Sequence, residues 1–247
     1  MRALILAAGL GTRLKPLTDS TPKALIKIKN YTLLELQIKR LKAAGVSQII
    51  INVHHFADKI NDFLIQNNFF DCSIELSDEN AKLLDTGGGL KKASHFFSDG
   101  KPFLVYNVDI LSNINLKKFI DVHNSKSSLA TLAIKDRESS RKFLFDKNNI
   151  LSGWKNEKSN EQIIVRGEEQ ELISYAFNGI QIMDPKIFKY FPDKGVFSLV
   201  ELYLTAAKNE KIVGYLNNND EWMDVGRIEN LDEADKILDR IRSTYQV

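Results

Sequence analysis

The chain is 247 residues long and 43% apolar, enough to bury a substantial core as one large domain or two small ones, which excludes a disordered or fibrous protein. Thirty-four basic side chains against 32 acidic ones leave a formal charge of +2, so no overall field draws nucleic acid or an anionic bilayer, and any anion must be held by a local site. The single cysteine, Cys72, excludes an internal disulfide and a cysteine metal cluster, and no apolar run approaches the roughly 20 residues of a membrane helix; a soluble, cytoplasmic protein is expected.

"RALILA" opens the chain as a continuous apolar run of strand length, the pattern of a strand covered on both faces. After a basic loop, Thr32 and Glu35 form a T-x-x-E capping box that opens a helix with Leu34, Ile38 and Leu41 on one stripe, closed by Gly45. "SQIIINV" is the next strand, Phe56, Ile60, Phe63 and Leu64 mark a second helix, and "CSIELS" returns to strand pattern. A loop holding Thr86, Gly87, Gly88 and Gly89 leads into a helix ending near Phe97, and "PFLVYNVDIL" reads as one strand with an aspartate near its carboxyl end. From Leu129 onward the rhythm shortens to "LATLAI", "KFLF" and "ILSGW" at hairpin spacing, then "YAFNGIQI", with helices over 199–209 and 230–241 flanking "EWMDVG". No linker separates the halves. The expected fold is α/β: a Rossmann-like, doubly wound, mixed but mainly parallel sheet with a smaller hairpin-rich lobe closing a cleft at the strands' carboxyl ends. A single domain over 1–247 is expected, with halves at 1–128 and 129–247.

The loop after the first strand, "LAAGLGTRLKPLTDSTPK", has the composition of a phosphate cradle, because glycines let backbone N–H groups approach oxygens closely. It is not the dinucleotide fingerprint, since Leu14 stands where the third glycine belongs and His54 and His55 end the second strand in place of an acid. No G-K-[ST] makes it a Walker loop. Arg13 offers a planar fork and Lys23 a point charge, a pair suited to a polyphosphate whose charge shifts during reaction. The competing reading is a solvated loop with Arg13, Lys15 and Lys23 facing water. Asp109 and Asp224 are two hard carboxylates of the kind that hold octahedral Mg²⁺ together with phosphate oxygens and water; a helix cap or surface ion pair is the alternative for each.

"LAAGLGTRLKPLTDSTPKALIKI" resembles the opening motif of the sugar-1-phosphate nucleotidylyltransferases, and the likeness continues through "INVHHFADKINDFL", "LLDTGGGL", "LVYNVDIL", "FNGI" and "WMDVG", covering essentially the whole chain. Within that family the sequence is most similar to short single-domain members such as the N-acetylmuramate-1-phosphate uridylyltransferases. The resemblance implies condensation of a nucleoside triphosphate, UTP favoured, with a hexose or N-acetylated sugar 1-phosphate, giving a nucleotide sugar and pyrophosphate. It implies Arg13 and Lys23 as catalytic cations and Asp109 and Asp224 as Mg²⁺ ligands. It assigns Ala8, Gly9, Gly11, Thr12, Asn80, Asp85 and Gly87 to the nucleotide and Asn107, Asn178, Gly179 and Trp222 to the sugar. The competing readings are a mannose-1-phosphate guanylyltransferase-like enzyme, a non-catalytic nucleotide-sugar sensor and a dinucleotide-dependent oxidoreductase. Many relatives carry glycine where Asp85 and Val108 stand, which leaves base choice and sugar approach open.

Overall fold

The computed structural model describes residues 1–246. Strand β1 (Arg2–Leu6) alternates its side chains between two buried faces, and the basic loop after it runs through short 3-10 turns to a ribbon of β2 (Lys27–Ile28) and β3 (Tyr31–Thr32). Helix α1 (Leu33–Ala43) is capped by Thr32, its hydroxyl accepting from the Glu35 N–H at 3.1 Å, while the Glu35 carboxylate of the expected box pairs with Lys39 at 2.9 Å. The first half continues through β4 (Gln48–Val53), α2 (Ala57–Gln66), β5 (Ser73–Asp78), α3 (Asp85–Ala93), β6 (Phe103–Asn107), β7 (Ile110–Ser112) and α4 (Leu116–Lys126). The second half comprises β8 (Ala130–Lys135), β9 (Arg141–Phe145), β10 (Leu151–Asn156), β11 (Glu161–Ile164), β12 (Ile173–Met183), α5 (Leu199–Ala207), β13 (Ile212–Leu216), β14 (Trp222–Asp224) and α6 (Leu231–Tyr245).

Among the described residues ten strands join in one sheet, with the path β11-β10-β9-β12-β6-β1-β4-β5 and with β8 and β13 branching from β12. Strands β6, β1, β4 and β5 are parallel, whereas β12 runs antiparallel to its neighbours β6, β8 and β9. The fold class expected from the sequence is therefore present. Ala3 and Ile5 of β1 face a core shared with α1, α2 and α6, while Leu4 and Leu6 face a second core shared with α3 and α5. Strand order reverses at β1, with β4 on one side and β6 on the other, and a crevice opens beyond the carboxyl ends at such a reversal.

Three features differ from the sequence expectation, and packing accounts for the first two. "PFLVYNVDIL" is not one strand: the chain breaks step at Val108 and Asp109, and β7 leaves the main sheet to pair with β14. The buried Gln37 amide of α1 holds that break, donating to the carbonyls of Val108 at 3.3 Å and Ile110 at 2.8 Å. The glycines 87–89 are not a loop but the interior of α3. Their low helix propensity is overridden by close packing, since a Cβ at Gly88 would stand 2.2 Å from the Gly195 carbonyl and one at Gly87 would meet the Phe197 ring at 2.5 Å. Finally, β11 and β13 had no counterpart among the expected strands.

Candidate functional site

Two cavities meet at the crevice. The first, of about 410 Å³, lies between the β1 loop and the start of α3 and is lined by Ala8, Gly9, Lys23, Asn52, Glu79 and Asp85 among others. The second, of about 470 Å³, lies toward the hairpin-rich half and is lined by Arg13, Arg137, Asn178, Gly179, Trp222 and Asp224 among others. Asn107 and Asp109 line both, so the break after β6 forms the shared wall.

Asp109 and Asp224, far apart in sequence, are brought together by the short antiparallel pairing of β7 with β14, in which Asp224 stands opposite Ile110. The Val225 N–H donates to the Asp109 carbonyl at 2.8 Å and extends that ladder by one bond. The Lys23 ammonium is bonded to the Asp109 carboxylate, both side chains being nearly buried, and the Arg13 guanidinium lies 3.7 Å from Asp224 Oδ2. Gly226 marks the common centre: a Cβ there would stand 2.6 Å from Asp224 Oδ1, 2.8 Å from Arg13 Nη2 and 3.3 Å from Asp109 Oδ2. Burial raises the proton affinity of Asp224 above the usual carboxylate range, and the Asp109 charge adds to it; the Gly226 N–H, donating to Oδ1 at 2.6 Å, acts against this together with Lys23 and Arg13. The two carboxylates thus repel across a small space, and Lys23 and Arg13 act against that repulsion.

The other residues singled out in the sequence divide into lining groups and supports. Ala8, Gly9 and Asp85 line the first cavity directly. Gly11 and Thr12 do not; Gly11 takes φ of +63° at the entrance to the turn carrying Arg13, and a Cβ there would meet Thr18 at 2.9 Å. Asn80 is exposed, its amide donates to Asp78 at 2.9 Å, and it is not among the groups lining the cavity. Gly87 contributes close packing of α3, its N–H donating to the Phe197 carbonyl at 2.9 Å. Asn107 faces both cavities. Asn178 and Gly179 sit at an irregularity of β12, where its register against β8 shifts between Phe177 and Gln181. The Asn178 side chain is fully buried and bound to Asn217 at 2.9 Å, so it shapes the wall instead of reaching outward. Its carbonyl accepts the Trp222 indole N–H at 2.9 Å, fixing that ring over the second cavity.

Several lining groups were not among the expected residues. Asn52 and Glu79 are buried together: the Asn52 carbonyl oxygen accepts from the Ala7 N–H at 2.7 Å, its amide donates to Glu79 at 2.8 Å, and Glu79 also accepts from the Leu84 N–H at 3.1 Å. This chain ties the β1 exit to the entrance of α3. The signal for Asn52 was a polar residue inside the apolar run "IIINV". Arg137, in the charged turn after β8, carried no such signal, yet its guanidinium lies 3.8 Å from the Trp222 ring centre.

Comparison with known proteins agrees with this architecture. A family model described as "Nucleotidyl transferase" matches residues 2–240. The N-acetylmuramate alpha-1-phosphate uridylyltransferase of Caulobacter vibrioides is 31% identical over 91% of this chain and 91% of its own length. The UTP–glucose-1-phosphate uridylyltransferase of Synechocystis is 29% identical over 92% of this chain, which spans 61% of that longer protein. The crystal structure of HddC from Yersinia pseudotuberculosis superposes with a TM-score of 0.73 at 26% identity, covering 95% of this chain and 98% of the other. The chain belongs to the nucleotidyl transferase family, and the relatives it matches are sugar-1-phosphate nucleotidyltransferases.

Proposed function

We propose that this chain condenses a nucleoside triphosphate, UTP by preference, with a hexose or N-acetylated sugar 1-phosphate such as N-acetylmuramate 1-phosphate, releasing pyrophosphate. One observation carries this reading: Arg13, Lys23, Asp109 and Asp224 converge where two cavities share a wall, each cavity large enough for a substrate. The UTP preference is supported by the uridylyltransferase relatives. The half formed by 1–128 would take the nucleotide, and the half formed by 129–247 the sugar.

The oxygen of the sugar 1-phosphate is already anionic near neutral pH, so it needs no general base to attack the α-phosphorus. A new P–O bond forms as the bond to the β-phosphate breaks in line, and pyrophosphate departs with the electron pair. Lys23, held in advance by Asp109, meets the charge on the α-phosphoryl group, and Arg13, beside Asp224, takes the β and γ phosphates. Asp109 and Asp224 fit Mg²⁺, because two crowded carboxylates gain from a hard cation that completes its shell with phosphate and water. Such an ion would neutralise phosphate oxygens while the bonds exchange.

The test is pyrophosphate release from a matrix of the four nucleoside triphosphates and a panel of sugar 1-phosphates, with Mg²⁺ and with chelator. Turnover with UTP that stops on chelation is expected. GTP belongs in the matrix because the relatives this chain matches include a mannose-1-phosphate guanyltransferase, 29% identical over 92% of this chain. Silence across every combination would replace the enzyme reading with a nucleotide-sugar sensor.

A further inference from the structure

The second cavity contains a cation that the proposed chemistry leaves unassigned. Arg137 follows β8 and points into the cavity that Arg13, Asp109 and Asp224 also line. Three of its N–H groups are used to orient it: Nε donates to the Asn178 side-chain oxygen at 3.4 Å, Nη1 to the Glu138 carbonyl at 3.2 Å and Nη2 to the Phe177 carbonyl at 2.7 Å. The guanidinium carbon lies over Trp222, 3.8 Å from the ring centre, and Trp222 is itself pinned through its indole N–H to the Asn178 carbonyl. The group is therefore rigid.

Its charge is also uncompensated. Among the described residues no carboxylate lies within ion-pair distance of Arg137; the nearby Glu138 offers it a backbone carbonyl, and Asp224 acts on it only from a distance. Burial pushes its pKa down to about 10, Asp224 opposing this from a distance. A half-buried guanidinium held by neutral carbonyls, with two N–H groups left over and Ser139 and Ser140 beside it on the cavity wall, is organised to receive an oxyanion. Arg13 and Lys23 already have carboxylate partners; Arg137 has none.

We propose that Arg137, braced on Trp222, is the acceptor-side anion anchor: it binds an oxyanion of the sugar substrate and so sets the affinity for that substrate separately from the nucleotide. The inference rests on the proposed reaction and deepens it. Two sources of the oxyanion share this chemistry, the 1-phosphate common to every acceptor and a carboxylate carried by an acidic sugar.

The experiment compares wild type with Arg137→Gln and Arg137→Lys by steady-state pyrophosphate release. The acceptors are glucose 1-phosphate, N-acetylglucosamine 1-phosphate and N-acetylmuramate 1-phosphate, and binding of the same three compounds is measured by calorimetry without turnover. Loss of a charge-assisted hydrogen bond should raise the acceptor KM by about ten- to a hundredfold in the Gln variant, with a smaller rise for Lys, while the nucleotide KM stays within about twofold. An equal rise for all three acceptors identifies the phosphate as the bound group; a rise confined to the N-acetylmuramate compound identifies the carboxylate. An unchanged acceptor KM, or equal increases for acceptor and nucleotide at an unaltered melting temperature, overturns the proposal. If wild type neither turns over nor binds any acceptor, the proposed reaction fails instead. Should the Gln variant not fold, the Lys variant, which keeps the charge but loses the fork, still separates the two KM values.

Discussion

Replacing Gly226 with alanine adds one methyl group to the centre of the site and removes no functional atom. The new carbon would stand 2.6 Å from Asp224 Oδ1 and 2.8 Å from Arg13 Nη2, whereas ordinary contact begins at 3.4 Å. The Asp224 oxygen must therefore withdraw by about 0.8 Å, and Arg13 must follow. Both displaced atoms are ends of flexible side chains and Gly226 does not take the left-handed conformation, so the fold tolerates the change; a stability loss within about 0.5 kcal/mol is expected. Catalysis does not tolerate it, because a misplacement approaching 1 Å in a pre-organised site costs up to about a hundredfold. We expect kcat to fall by roughly ten- to a hundredfold and the Mg²⁺ concentration for half-maximal rate to rise, with the melting temperature nearly unchanged. The assay is pyrophosphate release across a Mg²⁺ titration, paired with thermal unfolding. Full kcat at an unaltered Mg²⁺ requirement would refute the view that Asp224, Arg13 and Asp109 act as one unit around this point.

Other perturbations separate chemistry from folding. Arg13→Ala or Asp224→Ala should each lower kcat by at least about a hundredfold, as loss of a charge-stabilising group often does, and near-normal turnover in either variant counts against its assignment. Gly88→Ala presses a methyl group to 2.2 Å from the Gly195 backbone oxygen, which has no rotamer to escape into; overpacking of about 1–3 kcal/mol should lower the melting temperature by several degrees, measurable by calorimetry. His123 gives a pH signature: burial pushes its pKa from 6.5 down to about 4, with Asp184 opposing, and its ring is bonded to the Thr131 hydroxyl at 2.9 Å. The unfolded chain takes up a proton there before the folded one does, so this contribution is complete above pH 6.5 and is lost as the pH falls toward 4. Urea unfolding at about pH 4.5 should show on the order of 2–3 kcal/mol less stability from this group than at about pH 7.5, and His123→Gln should shrink that difference.

The parts legible in the sequence are those in which a local pattern meets a local rule. Thr32 and Glu35 announced α1 because an N-cap needs only its own turn, and the apolar runs that became β1 and β4 lay in parallel strands buried on both faces, where no alternation is required. The break at Val108 and Asp109 could not be read the same way. Its residues have strand propensity, and what parts them is the amide of Gln37 on a distant helix together with the three-residue ladder of β7 and β14. The glycines of α3 misled for the opposite reason: locally they favour a loop, and only the Gly195 and Phe197 backbone pressed against them makes their lack of side chains a condition for helix packing. At the site, the charged groups that motif chemistry singled out, Arg13, Lys23, Asp109 and Asp224, converge on one point, whereas the amides divide. Asn80 bonds within its own turn, while Asn52, concealed in a hydrophobic strand, became part of the wall. An asparagine's role depends on which partners three-dimensional packing leaves within reach. A charge at the mouth of a parallel sheet is constrained already by its position, because burying it elsewhere without a counter-charge would cost too much for the fold to bear.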